Sequence, residues 1–157
     1  MPTRKSCGFG YWDDYSTSGV TCVTNLTYYE LTSYTLIKGT SSTSDFTVTA
    51  NRLKYTGATT KKFDISIGFS YTNGNTNSVF FRATIYKTGS IVTGCSKAIR
   101  NHEATAPSPN KYELGHLRTI TTLATNDVIS IACTKEIGGS GTSTLAFMGV
   151  SMTAIEI

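Results

Sequence analysis

The nine residues Phe63-Asp64-Ile65-Ser66-Ile67-Gly68-Phe69-Ser70-Tyr71 decide the fold class. Every odd-numbered member is large and apolar, and every even-numbered member is small or polar. Successive side chains of a strand point to opposite faces. This period of two therefore puts one face in a core and leaves the other towards something wetter or another sheet edge. Thr72-Asn73-Gly74-Asn75-Thr76-Asn77 follows, and Asn-Gly is a strong turn signal. Residues 79–86 then read as a second strand, ahead of another turn at Lys87-Thr88-Gly89-Ser90. A hairpin is the simplest reading of these pieces.

Working outward, residues 116–123 read as a long strand that stops at the turn Asn126-Asp127. Residues 128–133 are short, continuous and apolar, as a strand buried on both faces would be. Residues 104–110, with Pro107 and Pro109, read as an exposed loop, and residues 138–141 as a glycine-rich one. The last stretch, residues 145–157, carries apolar side chains on both of its faces. So hydrophobic a segment would fray unless tied into the middle of a sheet, which implies non-sequential strand order as in Greek-key and jelly-roll folds. Upstream, residues 11–15, 21–24, 27–31 and 46–49 read as shorter strands, with residues 39–44 a loop. No segment shows sustained helical spacing of apolar residues. About ten antiparallel strands in one domain of 157 residues give an all-β, two-sheet sandwich.

Composition agrees. Thr, Tyr, Ile, Val and Phe suit a pleated, half-buried surface, whereas charged residues are 15% of the chain against roughly 25% in ordinary domains. The net charge of +4 comes from dispersed lysines and arginines, with tight pairs at Arg4-Lys5 and Lys61-Lys62, so no basic stripe points to nucleic acid. No apolar run approaches the roughly 20 residues that span a bilayer, so membrane insertion is not expected. The opening residues lack the apolar core of a signal peptide, and the chain is expected to be made in a cytoplasm.

Chemistry finds no foothold. Cys7, Cys22, Cys95 and Cys133 lack the close spacing of zinc ligands; their even number permits disulfides, but free thiols packed as small hydrophobes are the plainer reading. His102, beside Glu103, reads as a surface residue, and His116 opens a strand. Asp13 and Asp14 are adjacent, so on a strand they point to opposite faces and make a poor acid pair or metal site. No catalytic residue, metal site or cofactor is expected.

From Asp45 onward the order of motifs resembles the tumour-necrosis-factor-like, or complement-type, jelly-roll superfamily, particularly its bacteriophage and large-virus members. The pieces that carry the likeness are Asp45-Phe46-Thr47-Val48, Arg52-Leu53-Lys54-Tyr55-Thr56-Gly57, the alternating strand at 63–71, the corner Leu123-Ala124-Thr125-Asn126-Asp127-Val128-Ile129, and Phe147-Met148-Gly149-Val150. The aromatic opening Gly10-Tyr11-Trp12-Asp13-Asp14-Tyr15 is similar to the first strand of viral members. The resemblance implies a ten-stranded jelly roll that assembles as a homotrimer. It also implies that Asp64, Ser66, Gly68, His116 and Phe147 lie towards the threefold axis.

A fold hosts many functions. The viral-type opening and the missing signal peptide point to a virion structural protein, one that decorates a capsid, forms a minor capsid component or heads a fibre. Its partners would be its own copies and the major capsid protein. The expected organisation is a flexible, basic segment at residues 1–10, able to dock on a capsid lattice, followed by one jelly-roll domain at residues 11–157. The alternative is a receptor- or carbohydrate-binding fibre head whose loop tyrosines stack on a host glycan. A secreted ligand is disfavoured.

Overall fold

The computed structural model describes residues 5–12, 18–72, 79–99, 113–137 and 143–157. Among these the regular elements are all strands: β1 (Cys7–Trp12), β2 (Ser18–Cys22), β3 (Tyr29–Glu30), β4 (Ile37–Lys38), β5 (Phe46–Thr49), β6 (Arg52–Tyr55), β7 (Lys61–Thr72), β8 (Phe80–Lys87), β9 (Ser90–Ile99), β10 (Glu113–Leu123), β11 (Val128–Ile137) and β12 (Ser143–Glu156). They form two six-stranded antiparallel sheets. The first runs β10-β7-β12-β1-β4, with β2 also on β12; the second runs β5-β6-β11-β8-β9, with β3 also on β11. The last strand is central, as its apolar character requires. On the side of β12 away from β7, β1 and β2 sit end to end, against Val150 to Ile155 and Ser143 to Phe147 respectively.

The alternation of β7 builds the core. Phe63, Ile65, Ile67, Phe69 and Tyr71 are all buried and share one cluster with Phe81, Ala83 and Ile85 of β8 and Ile129, Ile131 and Cys133 of β11. Aromatic rings close both ends of β7. Phe63 meets Phe46 and Tyr55 at centroid distances of 5.3 and 5.1 Å, and Phe69 meets Tyr71 and Phe147 at 5.7 and 5.5 Å. Tilted and edge-on pairs of this kind add to what burial alone contributes. In β11, Ser130 and Thr134 on the opposite face are also buried, so that strand is enclosed on both faces as its sequence indicates.

Three expectations change. The hairpin forms across the second turn and not the first: β8 pairs with β9 around Thr88 and Gly89, whose φ values of 46° and 83° suit a tight two-residue connection. β7 and β8 belong to different sheets; the Asn-Gly turn between them lies outside the described residues. The apolar character of both faces of β12 has a specific origin. A bulge between Phe147 and Gly149 switches the inward set from Leu145 and Phe147 to Val150, Met152 and Ala154. An extra residue shifts the alternation by one, which a pattern read straight through cannot register. Finally, Cys7 to Gly10 pair with β12, so the sheet starts at residue 7 and the expected ten-residue free segment is shorter by at least four residues. Ser6 is itself buried, its amide donating to Glu156 Oε2 at 2.7 Å and its hydroxyl to Asp45.

The corner at 123–129 joins the sheets. Asp127 accepts from the Ala124 amide at 2.9 Å and from the Thr88 hydroxyl at 2.8 Å, and lies 3.6 Å from Lys87 Nζ. Its main-chain carbonyl takes the Tyr55 amide at 2.9 Å, while the Asn126 amide donates to the Tyr55 carbonyl at 2.8 Å. The carboxylate thus ties the β10–β11 turn to the β8–β9 turn, while the main chain of Asn126 and Asp127 holds the end of β6. Replacing Asp127 by alanine removes the acceptor of two exposed donors, the Ala124 amide and the Thr88 hydroxyl, and should cost about 0.5–1.5 kcal/mol in urea unfolding. Loss of less than a few tenths would show that the corner holds without it.

Candidate functional site

The outward side of the first sheet is the face to which sequence reasoning assigned the site residues. Antiparallel register places His116 opposite Gly68 and Arg118 opposite Ser66 on one side of β7. On the other side it places Ser151 opposite Gly68, Thr153 opposite Ser66 and Ile155 opposite Asp64. Asp64, Ser66, Gly68 and His116 are therefore together on one surface. Phe147 is not. It lies before the bulge, is fully buried, and packs on Phe69 inside the core.

The polar groups on this face lean diagonally. Gly68 offers His116 nothing to touch, so the imidazole reaches the neighbouring Ser66, Nε2 to Oγ at 2.7 Å. Arg118, opposite Ser66, reaches one pair further and holds Asp64 from Nε at 2.9 and 3.2 Å, with Nη2 on the same carboxylate. Such diagonal neighbours are within reach of long side chains on paired strands. The hydrogen bonds from Arg118, opposed in part by burial and aided by the guanidinium charge, hold the Asp64 carboxyl below its ordinary range.

Around these groups the surface is concave. Gly68, Ser70, Gly149 and Ser151 form a floor, with Phe9 and Tyr11 on one bank and Leu114 and His116 on the other, enclosing about 630 Å³. The rings of Phe9 and Tyr11 stack at 5.7 Å. The Leu114 bank is fixed by its neighbour: a Cβ on Gly115 would fall 2.2 Å from the Phe69 ring, so β10 lies down on the core here and turns Leu114 and His116 outward. Two smaller hollows of about 330 Å³ each continue the trough, one along Asp64, Ser66, His116 and Arg118, the other along Cys7, Phe9 and Ser41. Large apolar side chains stand free on this face: Leu114 is 80% exposed, Ile120 56%, Ile37 54% and Ile155 49%.

The second sheet is dressed differently. Arg52 Nε donates to Glu30 Oε1 at 2.7 Å, and Asn51 adds a bond to the same oxygen at 3.2 Å. Burial pushes the Glu30 carboxyl up, but the hydrogen bonds from Arg52, Ser130 and Asn51 outweigh it and leave the group below its usual range. Arg82 bridges Glu136 and Ser96. Lysines from this sheet also cap the open edge of the first: Lys97 Nζ donates to the Leu114 carbonyl at 2.8 Å and Lys87 Nζ to that of Thr122 at 3.1 Å. Lysine at an edge is a common guard against unwanted strand pairing.

The cysteines are free thiols. Burial pushes Cys22 up to about 11 and raises Cys133 well above the ordinary thiol value, which keeps both protonated and unreactive. Among the described residues no three of His, Cys, Asp and Glu gather in a way that would hold a metal ion, and no helix is long and apolar enough to cross a membrane. His102, Asp13 and Asp14 lie outside the described residues.

Solved structures that match nearly the whole chain include murine APRIL at pH 5.0, at 8% identity and TM-score 0.55, over 98% of this chain and 100% of that one. The PRD1 vertex protein P5 matches at 12% identity and TM-score 0.52, over 97% and 96% of the two chains. The globular domain of zebrafish complement 1qA matches at 12% identity and TM-score 0.52, over 98% and 97%. No family model and no curated protein sequence matches the chain. The fold is the tumour-necrosis-factor-like jelly roll.

Two outcomes check this description. Thiol titration of the native chain should label Cys7, which is half-buried with its Sγ towards the Ser41 carbonyl, well before the other cysteines, which are buried and should react on unfolding. Rapid native labelling of Cys22 or Cys133 would contradict the packing. Replacing Arg118 by glutamine should raise the titration midpoint of Asp64 towards that of an ordinary aspartate, read from its side-chain carboxyl signal by NMR. An unmoved midpoint would mean that the pair does not form in solution.

Proposed function

We propose that the protein is a non-enzymatic structural component of a virus particle, and that its copies associate in threes through the outer face of the first sheet. It would serve as a capsid decoration, minor capsid protein or fibre head, with the major capsid protein as its second partner. The observation that carries this reading is the contrast between the two sheets. One outer face carries the ion pairs Arg52–Glu30 and Arg82–Glu136 with Ile91 exposed at its edge, while the other exposes Leu114, Ile120, Ile37 and Ile155, with Leu114 beside a floor of small residues.

Exposed apolar side chains on both edges of one sheet face, with an aromatic bank at its middle, suit that face to be covered by another copy. Covering it stabilises an assembly by roughly 25 cal/mol per Å² of apolar area removed from water. A floor of glycine and serine lets a partner's backbone or side chains approach closely, and the stacked Phe9 and Tyr11 rings supply a flat bank to pack on. The likeness to the PRD1 vertex protein P5 over almost the whole chain supports the virion setting.

Light scattering on the purified protein at neutral pH should give three times the 16.9 kDa of one chain. The double variant Leu114→Asp/Ile120→Asp places charge on the bare face and should give a single-chain mass with unchanged far-ultraviolet dichroism. A double variant that stays trimeric would remove this face from the contact. In a purified particle, labelled density at capsid three-fold positions supports decoration, whereas label confined to a tail would overturn it.

A further inference from the structure

We propose that His116 makes this face acid-sensitive: copies hold together while its imidazole is neutral and come apart once it is protonated. The inference rests on the reading of the face as the contact between copies. It comes from what surrounds the imidazole. On its own strand the flanking outward residues are Leu114 and Arg118. From β7 it meets Ser66 and Gly68, with Asp64 beyond them and Lys62 further along; from β12, Ser151 and Thr153; and across the trough, Tyr11 of β1.

Among these groups the carboxylate is Asp64, and Arg118 already holds it through two nitrogens. A proton on His116 therefore adds positive charge beside an arginine, with no free acid among the described residues facing it. In every copy Asp64 is held in the same way by its own Arg118. In the single chain His116 is exposed and water solvates the charge. Under a partner that water is gone, and an unpaired charge in a covered contact is strongly unfavourable. Imidazole is the side chain whose ordinary charge change falls between about pH 5 and 8.

The bond to Ser66 separates assembly from folding. With Nε2 unprotonated the Ser66 hydroxyl donates to it; with Nε2 protonated the ring donates to Ser66 Oγ. The 2.7 Å contact serves either state, so protonation leaves the local geometry of the chain in place.

Sedimentation velocity on the full chain at pH 8 and pH 5, with dichroism at each, tests this. Association should weaken by at least about tenfold at pH 5 with the fold retained, as expected for burying one uncompensated charge per contact. His116→Gln keeps a neutral hydrogen-bonding side chain and should stay associated at both values. A wild type that is monomeric at pH 8 would defeat the self-association reading itself. A protein that associates at pH 8 and loses association equally in His116→Gln would leave that reading standing and overturn this inference. So would dissociation accompanied by loss of dichroism.

Discussion

The register of β7 between β10 and β12 is the constraint on which everything else depends. Its inward residues Phe63, Ile65, Ile67, Phe69 and Tyr71 are all buried against the second sheet. A slip of one residue would carry that whole set to the outer face and bring Asp64, Ser66, Gly68 and Ser70 into the core. Burial of five large side chains makes this slip prohibitively costly, so the pairing is fixed along the full strand. The same register then dictates the outer face: because Ile67 lies opposite Leu117 and Met152 inside, Gly68 must lie opposite His116 and Ser151 outside. The floor of the trough is the reverse side of the core.

The two sheets use their outward sides in opposite ways. On the second, long side chains are spent on Arg52–Glu30 and Arg82–Glu136, with Ser130 and Thr134 buried beneath them and Ile91 exposed at the edge. Exposed pairs of this sort add little stability. Their physical consequence is a surface whose middle is charged and hydrated. The outer face of the first sheet carries the pair Asp64–Arg118 among bare isoleucines and a leucine, with Lys61–Glu156 at the sheet's end. The lysine caps on the β10 edge add a second restriction, since they occupy carbonyls that another strand would need. Edge-on pairing is discouraged and face-on packing remains open.

Sequence reading recovers what obeys a period. The alternation of β7, the limits of β5, the two-faced burial of β11 and the central place of β12 all follow from side-chain order. It loses what depends on a break in the period or on distant pairing. The bulge at Met148 is one extra residue in the strand's apolar run Leu145 to Val150, and it decides that Phe147 faces inward. β3 and β4 are two residues each, too short for any pattern. Whether residues 79–86 fold back on β7 or cross to the other sheet depends on partners far along the chain, which the intervening turn signal does not encode. The site was half legible for the same reason. Alternation groups Asp64, Ser66 and Gly68 on one face, but the diagonal bonds from His116 and Arg118 require the β7–β10 register. A composition cue for the trough did exist: the outward positions of β7 and β12 are small throughout their middle, which is unusual for a face meant to meet water alone.

Protons act on this molecule in two separate ranges. Asp64, Glu30 and Glu156 are all held below their ordinary titration range, by Arg118, by Arg52 with its neighbours, and by the Ser6 amide with Lys61. A carboxylate depressed in the folded state contributes stability that is fully present above its unfolded value, about 4, and is lost as pH falls through the lower folded value. Those contributions are therefore intact at pH 5 and fade only in stronger acid. They also tie the frame together, since Glu156 and Ser6 clamp the end of β12 to the start of β1 while Asp64–Arg118 clamps β7 to β10. Imidazole as a side-chain type changes charge between about pH 5 and 8, above that range. The chain can thus alter the charge of its bare face while the sandwich beneath it keeps its ion pairs, which is the separation an assembly contact needs if it is to open without unfolding.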